Sequence, residues 1–558
     1  MAECKNCKQS FGIEPDDFAF YERIAVPPPT WCPTCRRLRR LGWCGYRILY
    51  KRKCDFTGES IISFHHQNSP YKIYRQDIWW SDKWDPRDYG RDYDFSKPFF
   101  EQYRELLRET PLPSLHTSYA TMVNSDYCNG AAKLKNCYLC FKTDNAENSA
   151  YLNTTTEMKD TMEASYSNFD ELCYEILYTN KCYRSFYSED CESSHDIYFS
   201  KDLVGCSHCI GCIGLRNKNY HVFNRPCSKE EFVKALEELN FGSCQAVQTT
   251  KKKAQDHFLK FPRKAMHGRN NVNVSGDYLF NSKNVHDAYM AGNAENVRYS
   301  ELLKAGPTAN AYDYTMFGGA EWMYESVWIG LGSSMAKGSF WNYTTNNIEY
   351  CFGCHGSNNL FGCVGVRSGE YCVLNKQYSK KEYKEIAEKI REHMKTLPFK
   401  DVRGREYWYG DFFPVETSPW TYNESHAMEF FPLTKQEAET QGFSWRELDR
   451  GEYREATIEI PDNIKDVSND ILDAILKCDM CGKNYLVIRM ELDFYRRFGI
   501  PVPHACPLCR DRARVAKLNP MKVYDRICMK CNVLVKSTHS PNHPEIVYCE
   551  QCYTSEVV

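Results

Sequence analysis

The sequence predicts a multi-domain, mostly β protein in which a duplicated parallel β-solenoid-like region lies between two copies of a cysteine-rich module, with a few short helices. Three observations lead to this prediction. Pairs of CxxC motifs with the same spacing occur at both ends of the chain. The middle of the chain matches itself at a fixed offset. Within that region, cysteines recur at short, regular intervals.

The composition bounds the class of protein. The chain has 558 residues, a formal net charge of -2 and 29 cysteines. A chain of this length predicts roughly three to five domains, and its balanced charge does not favour nucleic acid or a membrane surface as a whole. The sequence shows no signal-peptide pattern and no long apolar run. We therefore expect a cytoplasmic protein without a membrane partner, whose cysteines are metal ligands and buried thiols rather than disulfides.

The four-cysteine motifs carry the clearest chemical signal. The three sets are Cys4, Cys7, Cys32 and Cys35; Cys478, Cys481, Cys506 and Cys509; and Cys528, Cys531, Cys549 and Cys552. Zinc takes four thiolates in a tetrahedron, and such a closed site is structural because no coordination position remains for a substrate. We predict three structural zinc ions, held in modules of the treble-clef or zinc-ribbon type, and no other small-molecule cofactor.

The two terminal modules are copies of one unit. Residues 4–79 match residues 478–553 without a gap, so that Phe20 and Tyr21 correspond to Phe494 and Tyr495. The second lobes differ. The ligands Cys528, Cys531, Cys549 and Cys552 correspond to Cys54, Thr57, Arg75 and Ile78. We therefore expect the second N-terminal lobe to fold without metal, with Trp79, Trp80 and Trp84 as an apolar replacement.

Basic segments follow the second CxxC of each module. The candidate nucleic-acid contacts are Arg36, Arg37, Arg39, Arg40, Arg47, Lys51, Arg52, Lys53, Arg510, Arg512 and Arg514. A third basic stretch runs from Lys251 to Arg269. Arginines between aromatic residues suit phosphate contact and base stacking. Solvated helix faces and an acidic protein partner are equally open explanations, so the partner is either nucleic acid or a protein complex.

The middle region contains a second duplication. Residues 216–232 match residues 367–383, and each copy ends in a helix that begins with a capping box, at Ser228 and at Ser379. Cysteines at nine-residue steps and asparagine-rich corners, with a spacing that varies between about nine and twelve residues, favour the coils of a parallel β-solenoid. The cysteines of CSHCIGC, Cys206, Cys209 and Cys212, are then interior thiols rather than metal ligands.

These patterns divide the chain into eight segments. They are an N-terminal zinc module (1–80), an Asp/Trp-rich linker and helix (81–118), the first solenoid copy (119–245), a basic linker (246–270), the second solenoid copy (271–396), an aromatic-rich cap (397–450), a linker helix (451–477) and a C-terminal zinc module (478–558). The helix in the second segment is expected to begin at Ser96 and to turn Phe99, Tyr103, Leu106 and Leu107 inward.

Several motifs, among them CKNCKQSF, PPPTWCPTCRRLRRL, WWSDKWDP and YWYGDFFP, resemble those of a family of large, uncharacterised bacterial zinc-ribbon proteins, over nearly the whole chain. Some members carry an automatic CaiB/BaiF label, which the sequence does not support because it has no doubly wound pattern or nucleotide loop. In such relatives the second N-terminal lobe has a full CxxC pair, so Thr57, Arg75 and Ile78 are departures. The resemblance implies zinc binding and leaves activity open.

The motifs of common enzyme classes are absent from the sequence. It has no GxSxG elbow, HExxH helix, dinucleotide fingerprint or P-loop. We therefore predict a zinc-binding scaffold or adaptor rather than an enzyme, whose terminal modules contact nucleic acid or a protein complex. The alternative is a β-solenoid enzyme that acts on a polymer such as a polysaccharide.

Overall fold

The computed structural model describes residues 1–447 and 453–557. The N-terminal module contains β1 (Ala2–Glu3), β2 (Ser10–Phe11), α1 (Pro15–Arg23), α2 (Pro33–Leu41), β3 (Tyr50–Lys53), β4 (Ser60–Ser63), β5 (Ile73–Tyr74) and α3 (Gln76–Trp79). Strands β1 and β2 form one antiparallel hairpin, and β3 and β4 form another. Helix α2 begins directly after Cys32, with Pro33 at its first position, where the missing N–H costs nothing.

The linker after this module adds α4 (Phe99–Glu109) and β6 (Leu112–Pro113), and β6 pairs in parallel with β5. Helix α4 buries Phe99, Tyr103, Leu106 and Leu107, as predicted. Its N-cap is Pro98 rather than Ser96. The predicted start was wrong because Ser96 instead donates to the carboxylate of Asp94 and closes a turn before the helix.

The first solenoid copy is a parallel sheet that grows in chain order. Its strands are β7 (Met122–Val123), β8 (Ala132–Lys135), β9 (Phe141–Glu147), β10 (Ala150–Lys159), β11 (Met162–Ser165), β12 (Tyr174–Leu177), β13 (Tyr183–Phe186), β14 (His195–Tyr198), β15 (Ser207–Ile210), β16 (Asn219–Val222) and the antiparallel edge strand β17 (Arg225–Pro226). Helices α5 (Lys229–Glu238) and α6 (Cys244–Phe258) follow. Helix α6 occupies much of the predicted basic linker.

The coil of this solenoid lies at the upper end of the predicted spacing of about nine to twelve residues. Met162 pairs with Tyr174 on the next coil, and His195 pairs with Ser207. Buried side chains recur at every third position, as in Cys173, Ile176, Thr179 and Cys182. Cysteines nine residues apart are therefore three interior steps apart, whereas a full coil advances by four such steps.

Left-handed backbone conformations recur with the same three-residue period, for example at Glu175 and Tyr178. Each one turns the chain so that the next side chain can point inward. These conformations cost about 1 kcal/mol or more at a non-glycine residue. Packing of the solenoid interior therefore has to offset a repeated backbone cost.

The second copy begins after β18 (Arg263–Lys264). Its strands are β19 (Gly268–Arg269), β20 (Val272–Phe280), β21 (Lys283–Gly292), β22 (Ala294–Arg298), β23 (Glu301–Leu303), β24 (Thr308–Phe317), β25 (Glu321–Ile329), β26 (Ser334–Lys337), β27 (Asn346–Glu349), β28 (Asn358–Phe361), β29 (Glu370–Val373) and β30 (Lys376–Gln377), followed by α7 (Lys380–Thr396). Strands β26 to β29 repeat β13 to β16 at one constant offset, which confirms the second duplication.

The aromatic cap contains β31 (Phe399–Lys400), β32 (Glu406–Tyr407), α8 (Ala427–Phe430) and α9 (Lys435–Thr440). Most of its aromatic side chains are buried, including Phe412, Phe413 and Trp420. Residues 453–475 contain two short 3-10 turns, Ile464–Asp466 and Asn469–Leu472, in place of the predicted amphipathic helix. The first two residues of that predicted segment, 451 and 452, lie outside the described residues.

The C-terminal module contains β33 (Leu476–Lys477), β34 (Asn484–Tyr485), α10 (Arg489–Phe498), α11 (Pro507–Val515), β35 (Tyr524–Ile527), β36 (Leu534–Ser537), β37 (Val547–Tyr548) and α12 (Glu550–Val557). Every strand, and the start of every helix, follows its N-terminal counterpart at the same offset that relates Pro33 to Pro507. The structure thus confirms the duplication of the modules.

The modules dock crosswise on the solenoid. Helix α2 of the N-terminal module packs on β24 and β25 of the second solenoid copy, whereas α11 of the C-terminal module packs on β10, β11 and β12 of the first. Through its arginine-rich helix, each module therefore contacts the copy that is more distant from it in the sequence, while other parts of the modules contact the nearer copy, as β36 does with β20. Within the described residues, the structure contains no helix with the length and hydropathy needed to cross a membrane.

Candidate metal centres and the buried arginine helices

Three groups of four cysteines converge in the structure, at the positions predicted from the sequence. In each group the four Sγ atoms lie within 4.8 Å of one another. The Sγ–Sγ distances are 3.8 Å for Cys7 and Cys32, 3.9 Å for Cys481 and Cys506, and 3.8 Å for Cys531 and Cys549. A tetrahedral ion with metal–sulfur bonds of about 2.3 Å requires sulfur atoms about 3.8 Å apart. Each group therefore has the size of a site for one metal ion.

The local fold places the ligands. In the first group the turn between β1 and β2 carries Cys4 and Cys7, and Cys32 and Cys35 lie at the start of α2. The backbone N–H of Cys32 donates to Sγ of Cys4 over 3.2 Å. The corresponding bonds from Cys506 to Cys478 and from Cys549 to Cys528 have the same length. Such N–H donors orient the ligand and favour its charged form.

Backbone donors favour the thiolate form of one cysteine in each of the two C-terminal groups. Burial opposes ionisation of Cys528, but backbone N–H groups, foremost that of Cys549, lower its pKa to about 6. The same balance lowers the pKa of Cys478 to about 7, where the first donor is the N–H of Cys506. The thiolate is the form of cysteine that ligates metal, so the backbone favours the ligating form of one cysteine in each of these two groups.

The second N-terminal lobe keeps the backbone of a metal knuckle with a single cysteine. Sγ of Cys54 accepts the N–H groups of Thr57 and Arg75, at 3.5 and 3.2 Å, and Cys528 accepts from Cys549 in the same way. The side chain of Arg75 forms ion pairs with Glu59 and Asp77. An ion-pair cluster thus lies beside Cys54 where the other lobe has its ligands. Of the predicted tryptophans, Trp84 packs on Tyr74 of this lobe, whereas Trp79 contacts Trp341 of the solenoid.

The arginines of α2 are internal rather than exposed. Arg36, Arg37, Arg39 and Arg40 are each at most 1% exposed. Arg36 and Arg40 both pair with Asp313, at 2.9 and 2.8 Å, while Arg37 pairs with Glu301 and Arg39 with Glu325. Because phosphate groups cannot reach these guanidinium groups, the expectation that they contact nucleic acid is wrong for all four.

The C-terminal module repeats this arrangement on the other solenoid copy. Arg510 and Arg514 correspond to Arg36 and Arg40, and both pair with the fully buried Glu163. The side chains of Arg510 and Arg514 are 10% and 3% exposed. They are therefore docking residues as well. Arg512, on the outer face of α11, is exposed and remains available to a partner.

The other basic residues predicted to contact nucleic acid are also either buried and paired or exposed. Arg47 is half-buried and pairs with Asp511. Arg52 is buried, where it pairs with Asp55 and donates to the carbonyl of His66. Lys51 and Lys53 are exposed on the outer side of β3. Of the predicted nucleic-acid contacts, only Arg512, Lys51 and Lys53 lie on the surface.

The carboxylates that receive these arginines were not among the residues predicted from the sequence. Asp313 and Glu325 lie one coil apart, as do Glu163 and Glu175, because the residues beside them pair across neighbouring strands. Reading the sequence at the true coil period would have shown that these residues form acidic steps on one face. The nine-residue spacing of the cysteines does not reveal this register.

The solenoid cysteines lie where the repeat predicted them. Cys206, Cys209 and Cys212 are fully buried, and the thiols of Cys206 and Cys212 donate to backbone carbonyls nine residues ahead, at 3.3 and 3.4 Å. Interior thiols that donate to these backbone carbonyls serve as small core residues.

Comparison with known proteins adds no family assignment. No protein-family model matches the chain, and no curated protein is significantly similar to it.

Proposed function

We propose that the protein is a zinc-binding scaffold in which three structural zinc ions hold the terminal modules in shape and the modules clamp the two solenoid copies together. The observation that carries the proposal is the tetrahedral spacing of the sulfur atoms in all three groups. Zinc is the ion that a closed set of four thiolates favours. All four positions are filled by protein, so the metal supports shape rather than a reaction.

The buried arginines give the modules their role in this scaffold. The arginine-rich helices α2 and α11 both pack on the solenoid. Helix α2 joins the N-terminal module to the second copy, and α11 joins the C-terminal module to the first. The solenoid then offers a long, continuous surface to a nucleic acid or protein partner. None of the 29 cysteines forms a disulfide, which supports a place in the reducing cytoplasm.

The enzyme alternative has less support. A solenoid hydrolase would need a row of free carboxylates in a groove. Of the acidic residues described above, Asp313, Glu325 and Glu163 are buried and paired with arginine, and Glu175 pairs with Lys251. The carboxylates paired with arginine therefore hold the modules on the solenoid, and none of the four is free to act on a substrate.

Metal analysis combined with hydrogen exchange tests the proposal. The full chain, purified without added metal, should contain three zinc ions. After chelation, the amides of both modules should exchange faster while those of the solenoid interior stay protected. A zinc content well below three, or modules that keep their protection without metal, would overturn it.

A further inference from the structure

An open groove lies at the end of the first solenoid copy, between its last coil and α6. Its volume is about 760 Å³. Phe223 and Arg225 line it from the coil, and Lys252, Lys253 and Lys260 line it from the segment of α6. We call this feature the basic groove. It contains the start of the third basic stretch noted in the sequence, which the docking of the modules does not use.

The cations of the basic groove lack carboxylate partners. Arg225, Lys252, Lys253 and Lys260 are all exposed. Within residues 1–447 and 453–557, none of the four forms an ion pair with a carboxylate. Asp256 and Glu231 also line the groove, but the Glu231 carboxylate accepts the N–H of Ser228 at 2.7 Å in its capping box. Four cations against two carboxylates leave the groove positive.

His257 lies close to three of these cations. Burial lowers the pKa of His257, and the neighbouring Lys260, Arg225 and Lys253 lower it further. Its Nε2 atom is buried and, in the described part of the chain, has no hydrogen-bond partner. Positive groups that repel one another around an unsatisfied polar atom are stabilised by an anion.

The second solenoid copy supplies an internal comparison. Arg225 corresponds to Lys376, and Lys376 pairs with Asp92 at 2.5 Å. There the segment around residues 86–92 covers the end of the solenoid, since Nδ2 of Asn375 donates to the carbonyl of Pro86. The same coil position is thus neutralised and covered in one copy, and charged and open in the other.

We infer that the basic groove binds the sugar–phosphate backbone of single-stranded nucleic acid. Arg225 and the three lysines are placed for phosphate contacts. The rings of Phe223 and His257 meet edge to face at a centroid distance of 5.3 Å, and Nζ of Lys253 lies 4.4 Å from the Phe223 centroid, so the groove offers single aromatic rings to bases rather than one continuous stacking surface. Aromatic surface within a cationic groove favours a nucleic acid over an acidic peptide. The inference rests on the proposed scaffold role, for which it names the class of partner.

Fluorescence anisotropy with a labelled oligouridylate of about twelve nucleotides tests this inference on the full chain. Binding should weaken with salt, with a log–log slope near -2 to -3 if about four phosphates are neutralised. The variant Lys252→Glu, Lys253→Glu, Lys260→Glu should bind at least about 100-fold more weakly, since three contacts become repulsive. Zinc content, measured on each sample, should stay at the wild-type value, which separates failure of this inference from failure of the scaffold proposal.

A matched control carries the same change of charge elsewhere. Lys133, Lys181 and Lys381 are exposed and lie outside the groove, so their triple substitution by Glu should change affinity by less than about threefold. Three results would each overturn the inference: no binding at low salt, equal weakening by both triple variants, or displacement of the RNA by polyglutamate at equal charge concentration. The last result would identify an acidic polypeptide as the ligand.

Discussion

Nη1 of Arg40 lies 2.8 Å from Oδ1 of Asp313, and neither side chain is exposed. The two residues are separated by 273 positions in the chain. Arg514 and Glu163 form the equivalent pair between the other module and the other solenoid copy. A buried charge is costly unless a partner and further hydrogen bonds satisfy it, so these pairs select the coil on which each module docks.

Removing one of these arginines should destabilise the protein strongly. Arg40→Ala leaves Asp313 and Glu325 with one cation fewer in a buried site, and Arg514→Ala does the same to Glu163. We expect each to lower the free energy of unfolding by about 3–5 kcal/mol in urea titrations. Arg512→Ala, on the exposed face of α11, should change it by less than about 0.5 kcal/mol. Equal effects of the three substitutions would show that the buried pairs do not hold the modules.

Metal content should follow the cysteine groups one by one. Cys481→Ser removes one ligand from the second group, so native mass spectrometry should find two zinc ions instead of three. Cys54→Ser removes the single cysteine of the degenerate lobe and should leave three. A loss of metal in the Cys54 variant would mean that this lobe binds an ion.

We expect three substitutions to create a fourth metal site around Cys54. The N–H of Arg75 already donates to Sγ of Cys54 at 3.2 Å, the same distance as from Cys549 to Cys528. Thr57→Cys, Arg75→Cys and Ile78→Cys together complete a set of four thiolates on this backbone, and we expect four zinc ions per chain. The corresponding triple serine variant should bind three. If the folded cysteine variant also holds three, the knuckle geometry of this lobe differs from that of its copy.

The solenoid interior contains one carboxyl group that should make stability depend on pH. Burial raises the pKa of Asp170 to about 7, although Thr179 and the N–H of Cys182 donate to it. The folded state therefore holds this proton more tightly than the unfolded chain does. Its contribution to stability is greatest at low pH and declines as pH rises from about 4 to about 7.

Asp170→Asn should remove this dependence. The free energy of unfolding of the variant, relative to wild type, should increase by on the order of 2–3 kcal/mol between pH 5 and pH 8 in urea titrations. Asn342 supplies the reverse test, because this buried amide accepts the N–H of Cys354 at 2.7 Å. Asn342→Asp should introduce a decline of stability over the same range. Parallel pH profiles for wild type and Asp170→Asn would contradict the assignment.

Both duplications and the metal ligands could be predicted from sequence because they depend on local spacing. A CxxC turn brings two thiols together wherever it occurs, and an uninterrupted match between residues 4–79 and 478–553 implies the same fold twice. The length of the solenoid coil could not be predicted in this way. Interior positions repeat every third residue, so cysteines at nine-residue steps, such as Cys173 and Cys182, fit a coil of any multiple of three.

The sequence by itself determined the modules, their cysteine groups and the repeated β-structure, since each depends on residues close together in the chain. Only the tertiary structure decided the role of the arginines. From sequence alone, a helix rich in arginine predicts a phosphate-binding surface. The buried partner of Arg36 and Arg40 is Asp313, which lies 277 and 273 positions away from them in the chain. These arginines are buried because carboxylates on neighbouring coils of the solenoid form ion pairs with them away from water. No local sequence pattern shows that these residues come together.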